Sequence, residues 1–83
     1  MLPCSYMDNP RGYKERAELH LAKGEFDKAL SDLNQAIVLK ADYADALFVR
    51  GKTNIKINKN TEAKADIQSA CKMGNSNACN FQF

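Results

Sequence analysis

Apolar residues recur along this chain at three- and four-residue intervals, in blocks separated by glycine or asparagine. The first block opens at Asn9–Pro10. Asn9 offers a side-chain cap, and Pro10 fits a first helical turn, where its missing N–H costs nothing. A helix through "PRGYKERAELHLAK" then aligns Tyr13, Ala17, His20 and Leu21 on one face, and Gly24 ends it. The second block, with Asp27 as the expected cap, carries Ala29, Leu30, Leu33, Ala36, Ile37 and Leu39 as a stripe wide enough to meet helices on two sides. Gly24 therefore separates either two antiparallel helices or the two sides of an active-site turn.

A search for internal periodicity decides between these. Laying Pro10–Tyr43 over Ala44–Asn77, a shift of 34 residues, aligns Arg16 with Arg50, Ala29 with Ala63, Asp32 with Asp66 and Ala36 with Ala70. Tyr13/Leu47, Leu21/Ile55, Leu33/Ile67 and Leu39/Met73 stay apolar in the same register, and Ala17 meets Gly51. Small residues at fixed positions let two helices approach to the short end of the ~8–10 Å range, and large ones fill the gaps between them. A 34-residue period with this small-and-large pattern resembles the tetratricopeptide repeat (TPR). "YKERAELHLAKGEFDKALSDLNQAIVLKADY" carries Tyr13, Ala17, Gly24, Phe26, Ala29 and Ala36 of that signature, and "LFVRGKTNIKINKNTEAKADIQSACKM" keeps Gly51, Ala63 and Ala70. The family's usual leucine is replaced by Arg16 and Arg50, its tyrosine by His20 and Asn54, and its proline by Ala41 and Asn75. Asn58 stands where the second turn would have glycine, and asparagine tolerates the left-handed conformation better than most residues. Asn60 takes the position of Phe26.

The resemblance implies an all-α fold: two antiparallel helix–turn–helix repeats, 10–43 and 44–75, in a right-handed superhelical stack. An N-terminal extension over 1–9 is expected to be poorly ordered. A short capping helix over 76–83 is expected to close the far end, since each repeat leaves one apolar face for its neighbour. Gly74 should stop the fourth helix, Ser76 or Asn77 should cap the fifth, and Phe81 and Phe83 should supply its apolar side. Cys71 and Cys79 resemble the cysteine pairing between adjacent helices in Sel1-like relatives of this repeat. Two readings stand: a disulfide, or two small buried hydrophobes in a reducing cell. The localisation follows that choice, cytoplasmic for free thiols, periplasmic or secreted for a disulfide. "MLPCSYM" has neither a basic start nor an apolar run of signal length, so a signal would have been lost beforehand. Cys4 is left over as a site for cross-linking chains.

Charge and composition narrow the partners. The 83 residues carry 12 basic and 10 acidic side chains, interleaved along the chain for a net +2, so no single-sign field steers nucleic acid or an anionic membrane. The longest apolar run of note, Ala36 to Leu39, is far short of the ~20 residues a spanning helix requires. His20 is the sole histidine, three scattered cysteines match no zinc spacing, and no phosphate loop or serine elbow is present. No catalytic residue, metal or cofactor is expected, and the chain reads as a non-enzyme.

The resemblance also implies a groove lined by the first helix of each repeat. By register, Arg11, Lys14, Glu15, Glu18 and Leu21 form one stave; Asp45, Phe48, Val49, Lys52, Ile55 and Lys56 form a second, more apolar one. A carboxylate clamp for chaperone tails would use Lys14, Glu18, Val49, Cys79 and Phe83, of which only Lys14 fits. The expected function is a protein–protein interaction module that takes a peptide or helix against Phe48, Val49 and Ile55, with Lys14, Lys52 and Lys56 at the rim. The competing expectation for those three apolar residues is cover by the chain's own C-terminal helix. A homodimer or larger stack through exposed repeat faces is the alternative function, because two repeats fall below the ~3 that stability usually requires.

Overall fold

The computed structural model describes residues 9–81. The expectations placed on residues 1–8, Cys4 among them, and on Phe83 lie outside that range. Five helices follow in order: α1 Pro10–Ala22, α2 Phe26–Leu39, α3 Ala44–Lys56, α4 Asn60–Lys72 and α5 Ser76–Cys79. Among the described residues there is no strand.

Local chemistry sets the boundaries. Asn9 caps α1, its Oδ1 accepting from the Arg11 N–H at 2.8 Å, with Pro10 at the first helical position. Gly24 (φ 78°), Asn58 (φ 65°) and Gly74 (φ 104°) are all left-handed. Each makes the same helix-ending turn. The residue after it donates five positions back, Glu25 to His20 at 2.8 Å, Lys59 to Asn54 at 2.8 Å and Asn75 to Ala70 at 3.0 Å. The left-handed residue itself donates to Leu21, Ile55 or Cys71 at 3.0–3.1 Å, which satisfies carbonyls that a helix end would leave open. Asn58 thus does the work of glycine in the second repeat, as its αL tolerance suggests.

Three details depart from the sequence reading. Glu25, not Asp27, precedes α2, with Asp27 inside the first turn, where a carboxylate complements the helix dipole. Asn75, one residue before the expected Ser76 or Asn77, caps α5 by accepting from the Ala78 N–H at 3.0 Å. The capping helix is shorter than the expected 76–83 span, because Asn80, a poor interior residue, already forms its C-cap.

The core is a double layer built on the small residues. Ala17, Ala29, Leu33, Ala36, Ala46 and Val49 form one cluster, with Tyr13, Leu21, Ile37 and Tyr43 packed against it. Leu47, Ile67, Ala70 and Ala78 form the next, flanked by Ile37, Phe48, Ile55, Cys71 and Phe81. Ile37 touches both, so the broad stripe of α2 does join the repeats. Its last member does not: Leu39 ends the helix 47% exposed.

α3 and α4 approach closely at Gly51, where a Cβ would meet Ile67 Cγ1 at 2.5 Å and the Ala63 carbonyl oxygen at 3.1 Å. That contact explains why α3 carries glycine where α1 carries Ala17.

Candidate protein-interaction groove

Two clefts open on the side formed by α1 and α3. The first, about 260 Å³, is lined by Lys14, Glu18, Asp45, Phe48, Val49, Lys52, Asn75 and Asn77. The second, about 190 Å³, is lined by Leu21, Phe26, Lys52, Thr53 and Lys56. They share Lys52. The residues that the register assigned to the groove line one cleft or the other, with three exceptions: Ile55 packs on the second core cluster, and Arg11 and Glu15 pair with each other on the exposed side of α1.

The chemistry of the groove differs from the apolar wall that the sequence suggests. Val49 is 6% exposed and belongs to the first core cluster, so it forms a floor rather than a projecting contact. Phe48 is half-buried under the C-terminal segment, its ring edge-on to Phe81 at 5.7 Å between centroids and 82° between planes. The two expectations for the apolar stave therefore divide: Phe81 covers Phe48 in part, and the groove stays open beside it. Around that floor the walls are polar. Lys14 Nζ bonds Glu18 Oε2 at 3.3 Å along α1. Lys52 Nζ sits 4.6 Å above the Phe48 ring, a cation–π contact that holds the ammonium over the groove. Asn75 Nδ2 donates to Asp45 Oδ1 at 2.9 Å, tying the start of α5 to the start of α3.

Sequence reasoning did not foresee Phe26, Thr53, Asn75 and Asn77 as lining residues. The register carried a signal for one of them, since Thr53 lies one residue past Lys52 on the same helix.

A polar network behind the groove also went unread. Arg16 donates from Nε and a terminal nitrogen to Asp32 at 2.9 and 2.7 Å, and Arg50 repeats the fork on Asp66 at 2.8 and 2.7 Å. His20 and Asn54, the residues in the family's tyrosine position, approach the same carboxylates at 3.5 and 3.4 Å. Arg50 reaches further, donating to Asn34 Oδ1 of the preceding repeat at 2.9 Å. The Asp66 hydrogen bonds raise the Arg50 pKa above its ordinary value against the opposing effect of burial. His20 Nδ1 lies 2.7 Å from Glu25 Oε1, and this hydrogen bond is the main cause that lowers the Glu25 pKa. Both ring nitrogens thus face structural carboxylates.

Among the described residues, no group of three or more histidine, cysteine or acidic side chains is arranged to hold a metal ion. No helix there is long and apolar enough to cross a membrane. Cys71 and Cys79 form a disulfide, with Cα atoms 4.6 Å apart.

The model of the TPR repeat matches residues 17–58, half of the chain. The chain belongs to the tetratricopeptide repeat family. It is also 38% identical over 65 residues to DnaJ homolog subfamily C member 3 of Mus musculus and of Homo sapiens, and 37% identical to that of Rattus norvegicus. Those 65 residues are 78% of this chain and 13% of each relative, so the chain spans a small part of their length. TPR units are non-catalytic scaffolds that bind other proteins, and this pair is a protein-interaction module.

Proposed function

We propose that the module takes a peptide or a helix of a partner protein along α1 and α3, in the paired clefts that meet at Lys52. The observation that carries this reading is the shared wall: one lysine borders both clefts, with a partly covered aromatic on one side and Leu21 and Phe26 on the other. A ligand that crosses it would set an apolar side chain beside Phe48 or Leu21 and an acidic group near Lys52 and Lys56. Lys14 is engaged by Glu18, and Glu18 disfavours a free carboxylate at that end, which weighs against a chaperone-tail clamp. Catalysis has no role in this reading.

The test is selection of binding peptides from a random display library, followed by affinities for wild type, Lys52→Glu and Lys64→Glu. Lys64 is an exposed residue of α4 and serves as the control. Aspartate at Phe48 or Ile55 would be a poor probe, since both side chains pack on the second core cluster. At least tenfold weaker binding for Lys52→Glu alone supports the groove. Equal loss in both variants, or in neither, rejects it.

A second reading, self-association, is favoured by Leu19. It is 63% exposed at the register of Thr53, which is fully buried where repeat 2 meets repeat 1. A second copy seated on that face would bury it. Light scattering across a concentration series gives two chain masses if it does, and one if it does not.

A further inference from the structure

The last helix is held by a bond that the rest of the stack does without. α5 spans four residues, below the length at which a helix persists alone. In the 34-residue register it takes the position of the first turn of α3: Ala78 matches Ala44, and Phe81 matches Leu47. α3 docks on α2 through a full helix of buried side chains. Among the described residues, α5 and its flanks bring to the stack Ala78, 3% exposed, the Phe81 ring edge against Phe48, and the Asn75–Asp45 hydrogen bond. Cys71 stands at the register of Ile37, the side chain that bridges the two core clusters. At this position a covalent link replaces an apolar contact.

We infer that Cys71–Cys79 is a thiol–disulfide exchange site whose reduction releases α5 from repeat 2. Cys79 is exposed and Cys71 half-buried, so a dithiol reductant reaches the Cys79 sulfur first. Its thiolate attacks Cys79 Sγ, the bond to Cys71 breaks, and Cys71 leaves as a thiolate that takes up a proton. The second thiol of the reductant then attacks the mixed disulfide, closes the reductant's own disulfide and frees Cys79 as a thiol. Two electrons and two protons pass from the dithiol to the cystine.

Release uncovers Leu47, Ile67 and Ala70 at the end of the stack and withdraws Asn75 and Asn77 from the groove wall. The redox state thereby sets where the groove ends. Release of α5 itself does not depend on whether the groove takes a peptide.

Hydrogen exchange on the whole chain, oxidised and after reduction with a dithiol, tests this. The readout is the amides of Ala78, Cys79, Asn80 and Phe81, all hydrogen-bonded within the α5 turn. Losing the short cross-linked loop should speed their exchange by on the order of 10- to 100-fold, with α1 and α2 unchanged. Mass spectrometry confirms the gain of two hydrogens. Cys71→Ser/Cys79→Ser, under oxidising conditions, should reproduce the reduced pattern. Retained protection in α5 with both thiols free would overturn the inference. So would simultaneous loss across all helices, which would make the disulfide a staple of the whole fold.

Discussion

Removing Asp66 should harm the protein far more than removing Asp66 and Arg50 together. Arg50 is about three-quarters buried, its side chain 26% exposed, and it spends two forked hydrogen bonds on Asp66, whose side chain is 12% exposed. Asp66→Leu leaves that largely buried guanidinium with Asn34 Oδ1, 2.9 Å away, as its remaining acceptor. Breaking a fully buried pair costs ~3–5 kcal/mol, and the residual exposure of Arg50 reduces this to about 2–3 kcal/mol. Arg50→Leu strands Asp66 with only Asn54, at 3.4 Å, and should cost a similar amount. The double variant restores the leucine that the family usually carries at this register and strands no charge. It should lie within about 1 kcal/mol of wild type, because well-packed apolar replacements of buried pairs are often neutral. For a domain of this size each kcal/mol moves Tm by ~4–8 °C, so the singles should melt about 10–20 °C lower and the double close to wild type. Thermal unfolding followed by circular dichroism, with urea midpoints as a check, completes the cycle. Additive losses, with a coupling below about 0.5 kcal/mol, would refute the claim that these residues act as one unit.

Gly51→Ala should lose about 1–2 kcal/mol, since overpacking against buried Ile67 at 2.5 Å outweighs the ~1 kcal/mol gain in helix propensity; an unchanged urea midpoint would show that α3 and α4 can part freely. Asn58→Gly should stabilise by about 0.5 kcal/mol and Asn58→Ala destabilise by about 1 kcal/mol, because the position is left-handed at φ 65°; equal midpoints for the two variants would contradict that. The Glu25 pKa is lowered below 4.5 by the His20 hydrogen bond, so its contribution is present above the unfolded value and fades as pH falls through the folded one. Glu25→Gln should therefore flatten the acid limb of a stability–pH curve below about pH 4.5, and an identical limb would reject the linkage.

The helices and their turns were legible because their signals are local and repeated. Pro10, Gly24, Gly74 and the small residues at Ala17, Ala29 and Ala36 each solve a steric problem that one residue type solves best. Periodicity then tied the two hairpins together and brought the groove residues to one side. What remained hidden needed a third dimension. The forked pairs sit on side chains 16 positions apart on different helices, and the matching of Arg16 with Arg50 and Asp32 with Asp66 under one shift was their only trace. Hydrophobicity alone could not tell that Val49 and Ile55 face inward and Lys52 outward, because a first helix between two neighbours has more than one apolar side. The exact extent of α5 depended on Asn75 and Asn80 competing for the ends of a single turn, where one residue either way is a matter of cap chemistry.

The most direct test of the groove is a map of chemical-shift changes as a peptide selected for binding is titrated into isotope-labelled protein. The account predicts shifts concentrated at Lys14, Glu18, Phe48, Lys52, Lys56 and Asn77, on α1, α3 and the start of α5. A map centred instead on Leu30, Asn34, Lys59 and Glu62, the cleft between α2 and α4, would contradict it.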